Sequence, residues 1–195
     1  MKKWLFRFCL ISGICLILGS LVLMGWNQLR LESGNRQSAQ ILSVLLEGLP
    51  GKTIGVPGLD RDNHKPARQI RGRDYVALLE VPSYGIELPV AANWDADELY
   101  ICPGRFSGSV YDNSLIIGGT DHNGQLAFCS RIGHGEAITV TDLTGRVFSY
   151  RVSAIGRSSS ADAVWLTEGE YDLVLFCRDA GTMDYIAVKC VFNAG

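Results

Sequence analysis

A cysteine and an arginine stand side by side where an apolar run ends near the C-terminus. The run covers residues 171–178 and closes with Cys177 and Arg178, and a second apolar run covers residues 184–192. Runs of this length, rich in branched and aromatic residues, predict two β-strands. A cysteine thiolate is a strong nucleophile, and a strand end can present it to a substrate. The pattern is therefore typical of the place where a nucleophilic cysteine enzyme carries its chemistry.

Histidine is the residue type best suited to donate the proton, and the chain has three. His122 lies in the polar segment 120–124 and is the candidate acid, with a plain surface residue as the alternative. His134 lies between two glycines and is interpreted as a turn residue. His64 lies in a segment rich in turn formers and is interpreted as a solvated residue.

Cysteine spacing gives no sign of a metal centre. Cys9 and Cys15 fall in the apolar N-terminal segment, and the later cysteines include no closely spaced pair of the kind that zinc sites use. These later cysteines are Cys102, Cys129, Cys177 and Cys190. Cys190 lies on an alternating run and is interpreted as a buried apolar residue. The sequence predicts no metal and no cofactor, and it leaves disulfide pairing open.

Length and charge narrow the class of protein. A chain of 195 residues with 47% hydrophobic residues is long enough for one domain with a buried core. A formal net charge of -2 argues against a nucleic-acid-binding protein, because phosphate contacts need a concentrated basic face. The sequence therefore predicts one folded domain that binds no nucleic acid.

An uncharged segment near the N-terminus predicts a membrane anchor. Residues 8–26 carry no charge, and about 20 apolar residues cross a bilayer as a helix. The segment ends near Trp26 without the small residues of a cleavage site, which favours an uncleaved anchor over a signal peptide. The basic residues that precede it are Lys2, Lys3 and Arg7. By the positive-inside rule, we expect a single-pass protein with a cytoplasmic N-terminus and an extracellular C-terminal domain.

The chain after the anchor divides into a stalk and a folded domain. We assign residues 1–26 to the anchor, 27–73 to a stalk helix and linker, and 74–195 to the domain. The stalk helix is predicted to stop near residue 50, at a glycine and a proline. Segment 51–73 is rich in turn formers and has little periodicity, which is typical of a linker.

The domain is predicted to be all-β, because short apolar runs alternate with turn residues along it. Segment 142–145 is a strong hairpin signal between two of these runs. Segments 93–100 and 126–132 are more helical in character. The predicted strands are 75–81, 86–90, 114–117, 137–141 and 146–152, followed by the two C-terminal runs.

Together these elements resemble the sortase family, the membrane-anchored cysteine transpeptidases of Gram-positive bacteria. The anchor and linker match, as do Leu-Leu-Glu-Val-Pro-Ser-Tyr-Gly at 78–85, Asn-Ser-Leu-Ile-Ile-Gly-Gly at 113–119, segment 135–152 and Asp-Leu-Val-Leu-Phe-Cys at 172–177. The matches follow the family's order over nearly the whole chain, and they look most like class B, class D and pilin-type members. The resemblance implies an eight-stranded β-barrel with short helices and a catalytic groove at one end.

The resemblance also implies three catalytic side chains, and this sequence departs from the family at each. In the family, a cysteine attacks the threonine carbonyl of a sorting signal, a histidine acts as the acid, and an arginine holds the oxyanion or the substrate backbone. Ungapped matching puts Thr120, Arg178 and Tyr185 at the histidine, cysteine and arginine positions, and gapped matching puts Asp184 at the last. The candidate catalytic residues of this chain are Cys177, His122 and Arg178.

A one-residue displacement along a strand changes the face on which a side chain lies. Adjacent strand residues point to opposite faces, so Cys177 and Arg178 face one groove only if the strand twists or bulges. The alternatives are a buried core thiol at Cys177 and a solvated cation at Arg178.

Two functions follow from this pattern. In the first, the chain is a catalytically degenerate sortase-fold protein with a binding or accessory role in anchoring surface proteins or pili. In the second, it is an active transpeptidase that cleaves a sorting signal through a Cys177 thioester, with His122 as acid and base. The expected partners are the membrane, sorting-signal peptides of surface proteins or pilins, peptidoglycan, or an active sortase.

Overall fold

A computed structural model describes residues 2–58, 66–122 and 124–193, so His64 lies outside the described residues. The helices are α1 (Lys2–Glu47) and α2 (Ala163–Thr167), and two 3-10 turns cover Pro82–Tyr84 and Leu126–Ser130. The strands are β1 (Thr53–Ile54), β2 (Arg68–Ile70), β3 (Arg73–Val81), β4 (Ile86–Ala91), β5 (Gly104–Ser107), β6 (Leu115–Thr120), β7 (Ala137–Asp142), β8 (Arg146–Ser158), β9 (Leu173–Arg178) and β10 (Tyr185–Phe192).

The predicted anchor and the predicted stalk helix form one uninterrupted helix. α1 runs for 46 residues and ends at Glu47, directly before Gly48. It is long and apolar enough to cross a membrane, and its most apolar window is not buried by the rest of the chain. The helix stops where the sequence predicts, because Pro50 cannot extend it.

Eight strands close into a barrel. The hydrogen-bonded order is β3, β4, β5, β6, β9, β10, β8 and β7, and β7 pairs again with β3. β6 and β9 are parallel neighbours, while β9 and β10 are antiparallel. The prediction of an eight-stranded all-β barrel is therefore confirmed.

Two short strands add to the barrel from the segment that was predicted as a plain linker. β1 pairs with the start of β8, and β2 pairs with the start of β3. Segment 51–73 is thus partly ordered against the barrel. Both strands are mostly exposed, so hydrophobic periodicity could not reveal them.

The prediction that segment 93–100 is more helical was wrong, because the structure has bends and turns there. The turns are held by short-range bonds, such as the one from the Glu98 amide to the Asp95 carbonyl at 3.1 Å. The Trp94 amide instead donates to the Arg105 carbonyl at 2.9 Å. This bond ties the segment to β5 and competes with a helix. The short helix predicted near 126–132 is present as the 3-10 turn Leu126–Ser130.

Side chains of β9 alternate between the barrel interior and its outer face. Leu173, Leu175 and Cys177 belong to the main core cluster inside the barrel. Val174 and Phe176 belong to a separate cluster outside, where α2 covers the sheet with Leu166. This alternation is the period-two pattern of an extended strand.

The second half of α1 packs against the barrel. Ile41 and Leu45 are buried against Leu78 of β3 and Ala91 of β4. Burial of each aliphatic side chain stabilises the contact by roughly 1.5–3 kcal/mol. The helix is therefore fixed to the domain and does not serve as a loose tether.

Candidate active site

The Cys177 side chain points into the barrel. It is 1% exposed and belongs to the main core cluster. Its Sγ lies 3.7 Å from the Leu126 carbonyl oxygen. The opposing residue of β6 is Gly119, where a Cβ would come within 2.7 Å of the Leu126 side chain, so a glycine is needed to admit Leu126. The thiol therefore lies among core side chains rather than in a solvent-filled groove.

Cys129 is the thiol neighbour of Cys177. Burial, followed by the interaction with the Cys177 thiol, raises the pKa of Cys129 well above its ordinary value. Burial likewise raises the pKa of Cys190 to about 12 and that of Cys102 to about 11. All six cysteines are free thiols. The thiols of Cys102, Cys129 and Cys190 therefore stay protonated near neutral pH, and a protonated thiol is a poor nucleophile.

Thr120, Arg178 and Tyr185 form one row across three strands. In the ladder of β6 and β9, Thr120 pairs with Arg178, and in the ladder of β9 and β10, Arg178 pairs with Tyr185. These are the three positions that ungapped matching assigns to the histidine, cysteine and arginine. β9 pairs residue for residue with both neighbours along its length, so no bulge within Leu173–Arg178 turns Cys177 outward.

His122 lies beside this row. Its Nδ1 is 2.6 Å from the Thr120 hydroxyl, and its Nε2 is 3.3 Å from Oδ1 of Asn35 on α1. The Thr120 hydroxyl also donates to Gln125 Oε1 at 3.0 Å. Burial lowers the pKa of His122, and the nearby Asp121 carboxylate opposes this shift more weakly. The imidazole therefore bonds to Thr120 and α1, while Cys177 lies on the inner side of the wall.

Arg178 projects outward and rests on the loop that joins β9 to β10. Its Nε donates to the Met183 carbonyl at 3.1 Å, and its guanidinium carbon lies 5.8 Å from the centre of the Tyr185 ring. At Asp184, the alternative arginine position, the backbone carbonyl accepts a hydrogen bond of 2.7 Å from the Asp179 amide. The row thus carries one guanidinium, one phenol and one hydroxyl, and the guanidinium can bind an anionic or carbonyl group.

Asp179 organises the same loop. It accepts hydrogen bonds from Arg157 Nη1 at 2.8 Å and from the Gly181 amide at 2.8 Å. The bond from Arg157, followed by the bond from the Gly181 amide, lowers the pKa of Asp179 to about 2. Asp179 is therefore ionised near neutral pH. This arrangement fixes the loop around Arg178.

We call the outer face of β6 and β9, from the row to the start of these strands, the candidate groove. At its far end lies a cavity of about 530 Å³, whose lining includes Ser114, Ile116, Leu166, Tyr171, Asp172 and Val174. Between the cavity and the row, Gly118 leaves room for Phe176, since a Cβ there would lie 2.5 Å from the Phe176 ring. From Leu115 to Thr120 this face extends about 17 Å at the usual rise per strand residue, which is the length of an extended peptide of about five residues.

Aromatic side chains line the groove, and sequence reasoning missed them. The rings of Trp94 and Phe106 meet edge-on with centres 5.9 Å apart, and Phe106 meets Phe176 at 5.4 Å. Trp94 and Phe106 are each 39% exposed. The alternation of Val174 and Phe176 with the interior residues was the available signal, because it places Phe176 on the face opposite Cys177.

Lys189 was also missed, and it fixes the wall of the groove. Its Nζ donates to the Trp165 carbonyl at 3.0 Å and to the Glu168 carbonyl at 2.8 Å. These carbonyls lie at the C-terminal end of α2, where a positive charge is favourable. Lys189 is buried in the outer face of β10, so it ties α2 to the barrel.

Among the described residues, His134 and the acidic groups add no second site. His134 Nδ1 lies 2.9 Å from the Ser153 carbonyl oxygen and serves the turn before β7. Within residues 2–58, 66–122 and 124–193, no group of three or more His, Cys, Asp or Glu residues is arranged to hold a metal ion.

Comparison with known proteins shows similarity in structure and not in sequence. No protein-family model matches the chain, and no curated protein matches it. Sortase A from Corynebacterium diphtheriae is 15% identical with a TM-score of 0.55, and the match covers 84% of each chain. A Clostridium perfringens sortase D5 transpeptidase is 18% identical with a TM-score of 0.52, covering 80% of this chain and 89% of the other.

A pilus-related sortase C of Group B Streptococcus is similar to the same degree. It is 14% identical with a TM-score of 0.54, and the match covers 82% of this chain and 88% of the other. Identities this low show the fold alone. Since three classes of sortase match over most of their length and the eight strands close in a barrel, this chain is a sortase-fold protein.

Proposed function

We propose that this chain is a membrane-anchored, extracytoplasmic protein that binds an extended peptide of an exported protein without cleaving it. The observation that carries the proposal is the burial of Cys177 inside the barrel, at 1% exposure, with Arg178 on the outer face in its place. A thiol that a substrate carbonyl cannot reach forms no thioester. The role is accessory, in anchoring surface proteins or pili.

The groove supports peptide binding because its surfaces suit an extended chain. The cavity beside α2 binds an apolar side chain of the peptide against Ile116 and Val174. Asp172 also lines this cavity. The exposed rings of Trp94 and Phe106 offer broad contact surfaces of the kind that dominate binding sites. At the other end, Arg178 is placed to bind a peptide carbonyl or carboxylate.

Membrane anchoring is supported by α1. The helix is long and apolar enough to span a bilayer, and three basic residues precede its apolar part. The positive-inside rule then orients the barrel to the extracellular side. A protein held in this way meets its ligands at the cell surface.

A second function, that of an active transpeptidase, is favoured by one observation. His122 lies 2.6 Å from Thr120, the residue at the family's histidine position, so an imidazole is close to the row. For catalysis, β9 must slip by one residue or form a bulge, which would bring Cys177 to the outer face. Cys177 would then attack the carbonyl, and His122 would protonate the departing amine.

Thiol labelling of the full chain in detergent micelles separates the two functions. The protein is treated with iodoacetamide across a pH series, and mass spectrometry follows the peptide that carries Cys177. We expect Cys177 to stay unlabelled until denaturant unfolds the barrel, and we expect the same of the buried Cys190. Rapid labelling of the folded protein, with an apparent pKa below that of a free thiol and lost in His122→Ala, would establish the transpeptidase instead.

Binding is tested separately with a fluorescent peptide that carries Leu-Pro-x-Thr-Gly, read by anisotropy. The variant Gly118→Ala puts a methyl group 2.5 Å from the Phe176 ring and 2.7 Å from Trp94 Nε1, so the floor of the groove must shift. We expect this variant to bind the peptide at least about tenfold more weakly, the equivalent of about 1.4 kcal/mol. Gly133→Ala is the matched control, since its Cβ would meet nothing closer than Glu136 at 4.0 Å. Equal peptide affinity in the two variants would contradict binding in this groove.

A further inference from the structure

We infer that α1 holds the edge of the candidate site against the headgroup layer of the bilayer. We call this edge the proximal rim and define it as residues 93–100. The inference rests on the proposed membrane anchoring. It adds a defined interaction surface on the barrel and a fixed distance between the site and the membrane.

The helix passes from the apolar segment to the barrel without a break. α1 is helical from Lys2 to Glu47, so Trp26 and the first residue that contacts the barrel share one helix. Tryptophan is favoured at the interface between hydrocarbon and headgroups, which places Trp26 there. Each further helical residue then adds about 1.5 Å of height above that interface.

The first barrel contact comes four residues after Trp26. Arg30 Nη2 donates to the Asp97 carbonyl at 3.2 Å, and its guanidinium carbon lies 4.5 Å from the centre of the Tyr100 ring. At Gly34, a Cβ would come within 2.1 Å of the Tyr100 carbonyl oxygen, so helix and rim approach as closely as a glycine allows. These contacts leave no length of free stalk between the membrane segment and the rim.

Later helix residues contact parts of the barrel progressively farther from the membrane. Asn35 is hydrogen-bonded to His122 at 3.3 Å. Farther along the helix, the Gln40 side chain accepts a hydrogen bond from Arg71 at 2.8 Å. The Val44 carbonyl accepts one from Arg68 at 3.3 Å. The helical rise puts Arg30 about 6 Å, Asn35 about 14 Å and Val44 about 27 Å above Trp26. The order of contacts along α1 therefore fixes which end of the barrel faces the bilayer.

The chemistry of the proximal rim suits a hydrated headgroup layer. Asp95 and Asp97 are exposed carboxylates, and Glu98 pairs with Arg73 at 3.0 Å. Charged groups are unfavourable in hydrocarbon, but they are solvated among headgroups. A headgroup layer is several ångströms thick on each side of the hydrocarbon core, so Asp97 falls within it and His122 just outside it. A ligand of the site is thus a segment presented close to the membrane surface.

Quenching by spin-labelled lipid tests this placement in the full chain. Cys9 and Cys15 are replaced by serine, and a single cysteine at Asp97→Cys or Gln69→Cys carries a bimane fluorophore. The four remaining cysteines are buried and do not compete for the label. In proteoliposomes with nitroxide-bearing headgroups, we expect quenching at position 97 to exceed that at position 69 by at least about threefold, because their heights differ by about 20 Å.

An insertion supplies the matched control. Seven helix-forming residues placed between Asn27 and Gln28 raise the barrel by about 10 Å and turn it by only about 20°. Quenching at position 97 should then fall towards that at position 69. Equal quenching at the two positions, or no effect of the insertion, would overturn the inference. Failure of the protein to float with the liposomes would instead contradict membrane anchoring itself.

Discussion

Cys177 and Arg178 are neighbours in β9 but lie on opposite sides of the barrel wall. Cys177 Sγ lies 3.7 Å from the Leu126 carbonyl oxygen inside the barrel, whereas Arg178 Nε donates to the Met183 carbonyl outside it at 3.1 Å. A slip of one residue would exchange the two environments, and it would also carry Leu173 and Leu175 out of the core. The hydrophobic core therefore holds the thiol away from the groove.

Replacing Cys177 tests whether the thiol contributes to packing. We expect Cys177→Ala to lower the free energy of unfolding by about 1 kcal/mol, because it leaves a small cavity in the core. Cys177→Ser should cost at least as much, since it buries a hydroxyl among apolar groups. Denaturant unfolding of the full chain in detergent measures both effects. Cys15→Ala, in the exposed part of α1, is the control. Unchanged stability together with lost peptide processing would point to a catalytic thiol.

Replacing Lys189 tests the attachment of α2. Lys189→Met keeps the buried stem but removes the ammonium group that bonds to the Trp165 and Glu168 carbonyls. Hydrogen bonds of charged groups contribute about 1.5–3 kcal/mol, so we expect amide exchange in residues 163–168 to accelerate at least about tenfold. Lys52→Met removes an exposed ion pair with Glu80 and should leave this exchange unchanged. The same acceleration in both variants would mean that the effect is not local.

The stability of the barrel should depend on the protonation of His122. Burial lowers its pKa below the ordinary value of 6.5, so the unfolded state binds more protons between the two pKa values. The contribution of neutral His122 to the free energy of unfolding is complete above pH 6.5. It is lost as the pH falls through the pKa that His122 has in the folded protein. Unfolding measured from about pH 8 to about pH 5 should show this loss, and His122→Gln should lessen it. An identical pH dependence in the variant would contradict the role of this group.

The contact between α1 and the proximal rim should be sensitive to Gly34. Gly34→Ala puts a methyl group 2.1 Å from the Tyr100 carbonyl oxygen, so helix and rim must separate. We expect a loss of about 1–3 kcal/mol in stability, as for other overpacked contacts, and faster amide exchange at Ile41 and Leu45. In Gly25→Ala, the new methyl group meets nothing within 4 Å, which makes it the matched control. If the two variants behave alike, the helix is not docked as described.

The sequence was sufficient to predict the barrel where strand signals were local. The hairpin turn at 142–145 correctly joined two strands, but β8 continues to Ser158, beyond the predicted end at residue 152. That extension pairs with β10, whose residues lie about 30 positions later, and such a partner leaves no local mark. The prediction for segment 93–100 was wrong for a similar reason, because the Trp94 amide bonds to the Arg105 carbonyl of β5 and the remaining short-range bonds make turns instead of a helix.

The site was harder to predict than the fold, because a shift of one residue along β9 decides whether Cys177 or Arg178 faces the groove. Ungapped matching named Thr120, Arg178 and Tyr185, and these three lie in one row. Sequence alone left two placements of Cys177 open, since a bulge of one residue would reverse its face. The catalytic assignment of Cys177, His122 and Arg178 remains a prediction that the labelling experiment tests. The aromatic lining of the groove was missed because Trp94 and Phe106 lie outside the predicted strands.

Closure of the barrel limits how a peptide can be recognised. β9 is paired along its length with β6 and β10, and β6 pairs with β5 as well as with β9, so neither strand of the groove offers a free edge to which a ligand could add as an extra strand. Selectivity must come from side-chain pockets and isolated polar groups along the groove. The same pairing keeps these two strands from templating strand addition, which an open sheet edge would allow and which promotes aggregation.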